Sequence, residues 1–490
     1  SPQFNAMSPD EIHQNFISPP PGYGLVPFHW WGGEPMDIDR LAWQLDELKK
    51  AKVAGIQVNY TSYSSDAKKG NPSPQTPEFW SFWGEAVKLC KEKGVKIGRD
   101  DWGFHATIID FKNNPDLKAK NLFVRNMLVG DGEKAKFDLN AYQEPLSIKA
   151  YRMVDGEIDP ASSRDLTSYC KTNKDQKNFL WQCPQGDWKV AFIYFQINDH
   201  YTDLSNPKAG QVWIENWFEP VLKNSEGLID DSVSFFFNDD FWHPGLPYWS
   251  DILEKEFKKR KGYDLKEALP HFYDVLGPKS YKMRMDYYDV ASTLLEEAFF
   301  IPIFEWTQKH NIIYGHDNLR GNIPWGVTAY GDYFRAQRWF SAPGNDRVPD
   351  LHTAKVAASI SQLYDRQRSW LEGYYGEGWG VPASRIYKYD NQALTRGYNL
   401  ISYHSLYWTT RAGWWEHAPG DMHFRQPYWD LMAPRGAYVE RMSWLLSQGK
   451  HKADVAILAP TAPAHVDPPN PKAGKGPVAS MSQTAFVKLM

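Results

Sequence analysis

Four short, mostly apolar runs of this 490-residue chain end in acids: Asp100-Asp101, Asp239-Asp240, Asp317 and Glu372. Carboxyls so placed can do proton work. One protonates a leaving oxygen while a second, across the site, activates water or attacks carbon. Successive residues of a strand point to opposite faces, so one of Asp239 and Asp240 suffices for the site; Asp240 is taken as the acting residue and Asp239 as its alternative. Glu372 opens the run Glu372-Gly373-Tyr374-Tyr375-Gly376-Glu377-Gly378-Trp379, an acid among flexible backbone and stacking rings, with Glu377 as its nearest rival. His29, Trp30 and Trp31 close an early apolar run and His404 lies in a late one; together with Asp100, Asp101, Asp317 and Trp379 they form the expected binding set. The bland reading of each His or Trp is core packing, and of each acid pair a helix cap or a metal ligand.

Elements that bring such acids together alternate short strands with amphipathic helices, and eight units of this kind close into a parallel barrel with its chemistry at the C-terminal strand ends. The sequence predicts strands over 24–31, 55–60, 95–99, 234–238, 312–316, 338–341, 369–372 and 398–405. A helix starts after Asp37, one covering 80–93 stops at Gly94, and another stops in the basic run before Gly262. A long helical stretch, 285–310, is bent or interrupted at Pro302, and helices over 354–367 and 428–446 follow. The expected fold is thus a (β/α)8 barrel in parts 1–116 and 232–450. A β-rich insertion over 117–231 shows period-two runs at 190–197 and 211–217, and a further α/β domain starts at 451–490 with a strand at 453–459. In such barrels the fourth and seventh strands commonly carry the catalytic pair, which by analogy selects Asp239 or Asp240 with Glu372.

With 55 basic and 59 acidic residues the net charge is −4, too balanced for a nucleic-acid partner, and no apolar run reaches the roughly 20 residues of a membrane span. The 22 Trp and 27 Tyr offer flat faces that stack on sugar rings as well as filling cores. Cys170 and Cys183 bracket a polar stretch and are candidates to pair in an oxidising compartment, whereas Cys90 reads as a buried thiol. The start at Ser1 reads as a mature N-terminus, so a secreted or periplasmic location is expected. No CxxC pair, HExxH, Walker loop or Gly-x-Ser-x-Gly elbow occurs, and the sequence requires no cofactor. The run Gly413-Trp414-Trp415-Glu416-His417 reads as another loop lining the cleft.

Several motifs taken in order carry a resemblance. They are Phe28-His29-Trp30-Trp31-Gly32-Gly33; Asp239-Asp240 followed by Trp249, Phe257 and Gly262-Tyr263-Asp264; Glu372 in Glu-Gly-Tyr-Tyr-Gly; Arg396-Gly397-Tyr398-Asn399 with His404; and 438–449 leading to Ala453-Asp454-Val455-Ala456. In these the chain resembles glycoside hydrolase family 106, the α-L-rhamnosidase-like enzymes, over nearly the whole barrel. The resemblance implies an inverting hydrolase that removes terminal L-rhamnose from plant or algal polysaccharide, often with a bound calcium ion. It also implies a Glu near the acidic pair, where this chain has Asp240-Phe241-Trp242. The competing readings are a barrel glycosidase for another sugar, such as an exo-galactosidase, and a non-catalytic glycan-binding protein.

Overall fold

The computed structural model describes residues 7–60, 72–101, 109–173, 176–239, 245–317, 323–346, 351–410, 421–467 and 477–489. Strands β1 (Phe28–Trp31), β2 (Gly55–Tyr60) and β3 (Lys96–Asp100) come first. An antiparallel insertion follows: β4 (Lys118–Val129), β5 (Lys134–Leu139), β6 (Gln143–Val154), β7 (Glu157–Asp165), β8 (Cys170–Asn173), β9 (Gln176–Gln182) and β10 (Trp188–Thr202). The chain then returns through β11 (Val233–Asn238), β12 (Tyr248–Trp249), β13 (Ile313–His316), β14 (Gly344–Asp346), β15 (Trp370–Gly373), β16 (Leu400–Tyr403) and β17 (Leu406–Tyr407).

Two parallel arcs make the core. One runs β13-β11-β3-β2-β1-β17 and the other β14-β15-β16. Isolated parallel bridges stand at both junctions, Gly315 with Ala342 and Leu25 with Ile401, and the amide of Val26 donates to the Ile401 carbonyl at 3.0 Å. The result is an α/β fold with a barrel-like core.

Strand alternation sorts the side chains into an inner and an outer set. Val26, Phe28 and Trp30, Phe235 and Phe237, Ala342, Trp370 and Leu400 form one inner cluster, with Phe237 and Trp370 ring centroids 4.8 Å apart. Each large ring fully buried there contributes about 1.5–3 kcal/mol. The intervening residues face the helices: Trp31, Ile56, Val58, Tyr60 and Ile97 pack with Leu41, Leu45, Phe79 and Trp83. Close approach inside the core needs glycine. A Cβ on Gly315 would lie 2.3 Å from the Trp370 ring, and one on Gly344 2.3 Å from two backbone carbonyls.

The helices form where their sequence signals stand. Asp37 caps Ile38–Lys50 by accepting from the Arg40 amide at 2.8 Å, and Gly94 (φ 69°) and Gly262 (φ 81°) terminate Pro77–Lys93 and Asp251–Lys261 in the left-handed region. The regular α-helix is interrupted just before Pro302: Lys279–Leu295 passes through a π-turn at Glu296–Phe300 into Ile301–Lys309, with Pro302 in the first turn of that last segment.

Four expectations fail. The sixth strand is Gly344–Asp346 rather than 338–341, because the apolar look of Trp339-Phe340 comes from packing against the helix layer while the strand itself is small and polar. Residues 211–217 are helical, Ala209–Trp213 running into the π-turn Ile214–Phe218, with Trp213, Ile214 and Trp217 buried against the core. Residues 453–459 form no strand; nothing pairs with them among the described residues, and Leu458 is 92% exposed. Cys170 and Cys183 stay free. Cys170 stands opposite Phe179, four residues from Cys183, which sets the two roughly 13 Å apart along the strand, beyond disulfide reach.

Candidate active site

Continuing the inner alternation to the C-terminal strand ends places one residue per strand on a common rim. These are Trp30, Asn59, Asp100, Asp239, Asp317, Asp346, Glu372 and, beyond Leu400 and Ser402, His404. The register agrees. Trp30 pairs with Asn59, Phe237 with both Asp100 and Gly315, and Asp346 with Glu372. Five neighbouring positions are therefore carboxyls, and the remainder are aromatic or neutral.

The acids converge. Asp239, Asp317 and Glu372 each offer an oxygen, and these oxygens all lie within 4.8 Å of one another. All three are buried. Burial first, and then Glu372, Asp100, Asp317 and Asp346 around it, hold the Asp239 carboxyl well above the usual carboxylate range. Glu372 is raised by burial and then by Asp346 and Asp317, and Asp317 by burial and then by Asp346. A hydrogen bond between Glu372 and Asp317 raises Glu372 further and offsets part of the rise of Asp317. Among the described residues the other Glu372 oxygen, Oε2, is buried and has no hydrogen-bond partner. Leaving a buried carboxyl oxygen so costs on the order of 1–3 kcal/mol, a cost that active sites tolerate when the group awaits a ligand.

Asp101 lies on the other face of its strand end and positions Asp239. It accepts from the Asp239 amide at 3.0 Å and from Asn238 Nδ2 at 2.6 Å, and burial pushes its carboxyl up to about 7. Arg99, also outward, stacks over Trp217 at 3.9 Å, and burial lowers it to about 9. His404 is held among Trp30, Phe28 and Tyr375, with ring centroids 5.1–5.5 Å away.

Not every expected residue reaches this rim. His29 and Trp31 point outward: Trp31 Nε1 donates to His29 Nδ1 at 3.2 Å, Trp31 packs with Phe82 and Trp83, and burial drops the His29 imidazole to about 3. Trp379 follows β15 with its carbonyl accepting from Gln426 Nε2 at 3.2 Å. Glu377, the rival of Glu372, is taken up in an ion pair with Arg385. Asp240 and the 413–417 loop lie outside the described residues. Asp346 and Asn59 escaped the sequence reading. The misplaced sixth strand hid Asp346, and the alternation Gln57-Val58-Asn59 was the signal for Asn59.

The same three oxygens suit a divalent cation. Calcium takes hard carboxylate donors of this kind, and Asp239, Asp317 and Glu372 are the residues that would hold it.

No protein-family model and no curated protein matches the chain. Solved structures do. The rhamnosidase from Novosphingobium sp. PP1Y superposes with a TM-score of 0.61 at 12% identity, covering 91% of this chain and 61% of its own. Gan42B, a GH42 β-galactosidase from G., gives 0.51 at 10% identity, covering 95% and 63%. The chain thus spans less than two thirds of the length of either. It has a glycoside-hydrolase-like barrel fold of a kind shared by several families, with catalytic-type acids clustered at one end of its strands.

Proposed function

We propose that the two parallel arcs form one (β/α)8 barrel and that the chain is a glycoside hydrolase removing a terminal sugar, with α-L-rhamnose the first candidate. The observation that carries this reading is Glu372: a buried carboxyl whose hold on its proton is raised by burial and then by neighbouring acids, with Oε2 unbonded among the described residues. That is the state a general acid needs at neutral pH.

Two carboxyls this close do not both ionise, so Asp239 and Glu372 carry one proton between them. Glu372 gives it to the glycosidic oxygen as the bond to the anomeric carbon breaks, and the Asp239 carboxylate attacks that carbon. Water then attacks from the side the leaving group vacated, giving its proton back to Glu372 as the Asp239 ester opens. Asp317 keeps the proton on Glu372 through their hydrogen bond, and Trp30, Tyr375 and His404 flank the sugar. An inverting course, implied by the resemblance, needs a gap of roughly 6.5–9.5 Å between the carboxyls to seat a water. Asp239 and Glu372 each place an oxygen within 4.8 Å of the other, closer than that gap, which supports retention. A bound cation would supply positive charge among these acids and lower their affinity for protons.

Aryl α-L-rhamnosides and aryl β-D-galactosides test the reading, the latter because one of the similar structures is a β-galactosidase. Turnover of either supports hydrolysis and names the sugar. No turnover across a wider panel, with sugars still bound, would leave a glycan-binding protein.

A further inference from the structure

The inner face of β2 carries two amides, one above the other. Gln57 stands opposite Phe28 in the register of β1 and β2, and Asn59 opposite Trp30, so both share the inward face of those rings. Val58 and Tyr60, the residues in alternation with them, pack outward against the helix layer. Room for the column comes from the next strand: Gly98 of β3 pairs with Gln57, and a Cβ there would lie 2.4 Å from Gln57 Oε1. Asp100 follows two residues later, which sets Asn59 at the rim between Trp30 and Asp100. Both amides are buried, Asn59 to 1% exposure, and in each the side-chain oxygen and nitrogen lack a hydrogen-bond partner among the described residues. Amides with a structural task look different. Asn238 Nδ2 donates to Asp101 at 2.6 Å, and Asn399 Oδ1 accepts from the Ser369 amide at 2.8 Å.

We propose that Asn59, with Gln57 behind it, reads the hydroxyls of the bound sugar and sets which ring the site accepts. The choice of ligand rests on the hydrolase reading. Folding strips water from a buried amide and ordinarily returns a protein partner, so an amide left unpaired at the mouth of a site marks where a ligand supplies the bonds. Its carbonyl accepts and its NH2 donates side by side, which matches two adjacent ring hydroxyls, one giving a proton and one receiving it. Trp30, next to it in the register, presents an aromatic ring suited to the C–H face of the same sugar. Asp239 and Glu372 stand on other strands, so Asn59 orients the ring without taking part in the proton transfers. The substrate class is thus a pyranose with a free vicinal hydroxyl pair. A ring lacking one of those hydroxyls leaves the buried amide unpaired, and a site built to bond a hydroxyl discriminates strongly against such an analogue.

Binding tests this without turnover. Methyl α-L-rhamnoside, methyl β-D-galactoside and the monodeoxy forms of each are titrated calorimetrically into Glu372→Gln protein, with and without Asn59→Ala or the similarly sized Asn59→Leu. For the sugar that binds, removing one particular hydroxyl is expected to weaken binding roughly tenfold or more when Asn59 is present, and less than about twofold when it is replaced. The unfolding midpoint of either variant should stay level or rise, because the side chain removed has no partner among the described residues. Equal weakening on both backgrounds, or no binding of any probe, overturns the proposal. So does a lowered midpoint with the discrimination among deoxy sugars unchanged, which would assign Asn59 to the fold alone. A sugar that binds with this dependence on Asn59 and is not cleaved when Glu372 is intact would sink the hydrolase reading and leave this one standing.

Discussion

Asp346 and Glu372 stand directly opposite each other in the register of β14 and β15, two acids side by side at the inner rim of the core. Like charges so paired destabilise a sheet by about 0.2–1 kcal/mol, and more where water is excluded. After burial, Asp346 is also the largest influence raising Glu372. Asp346→Asn is therefore expected to raise the unfolding midpoint and to move the alkaline limb of the kcat/KM profile to lower pH. Calorimetry and a pH-rate series check both. An unchanged profile would mean that Asp346 does not tune Glu372.

Stability should depend on pH through the same acids. Asp239, Asp317 and Glu372 hold their protons more tightly in the folded chain than at their ordinary values of 3.8, 3.8 and 4.5. Above those values the unfolded chain releases protons first, so stability falls as pH climbs through the raised folded values. His29 and His316 act the other way: buried neutral, at about 3, they cost stability only as pH falls below their ordinary 6.5. Between about pH 7 and about pH 9 the histidines have finished titrating and Arg99, lowered to about 9, enters only near the upper end, so the raised carboxyls dominate the slope. Across that window the unfolding temperature should drop, and drop less in Asp317→Asn. Equal slopes would contradict the raised acids.

Calcium provides a third test. If the three clustered oxygens hold the ion, millimolar calcium should raise the unfolding temperature, chelation should reverse the rise, and Asp317→Asn should abolish it. No rise would mean that shared protons alone neutralise the cluster.

The stereochemical course follows from the spacing. NMR of the first-formed product should show the anomer of the substrate, since Asp239 and Glu372 bring oxygens within 4.8 Å of each other, closer than the gap of roughly 6.5–9.5 Å that seats a water. The opposite anomer would require a second carboxyl farther from Glu372.

Much of this was legible in the sequence because side-chain period and helix caps are local signals. The second strand, 55–60, has the expected bounds, and Asp37, Gly94 and Gly262 act at the helix ends as their types predict. What failed depended on neighbours. Gly344-Asn345-Asp346 does not read as a strand because its two flanking strands dictate glycine there, and 453–459 reads as one although it has no partner among the described residues. His29 and Trp31 share a motif with Trp30, but alternation sends them to the helix layer. Which acid of a pair faces inward also required the inner cluster: Phe235 and Phe237 lie in it, and Asp239 continues their period.

The most direct test of the central claim is Glu372→Gln assayed on two leaving groups. A general acid matters most when the departing oxygen is basic. The variant should lose on the order of 10²–10⁴ in rate on an alkyl glycoside or disaccharide, and far less on a dinitrophenyl glycoside that departs without protonation. An equal loss on both, or no loss on the poor leaving group, would contradict Glu372 as the proton donor.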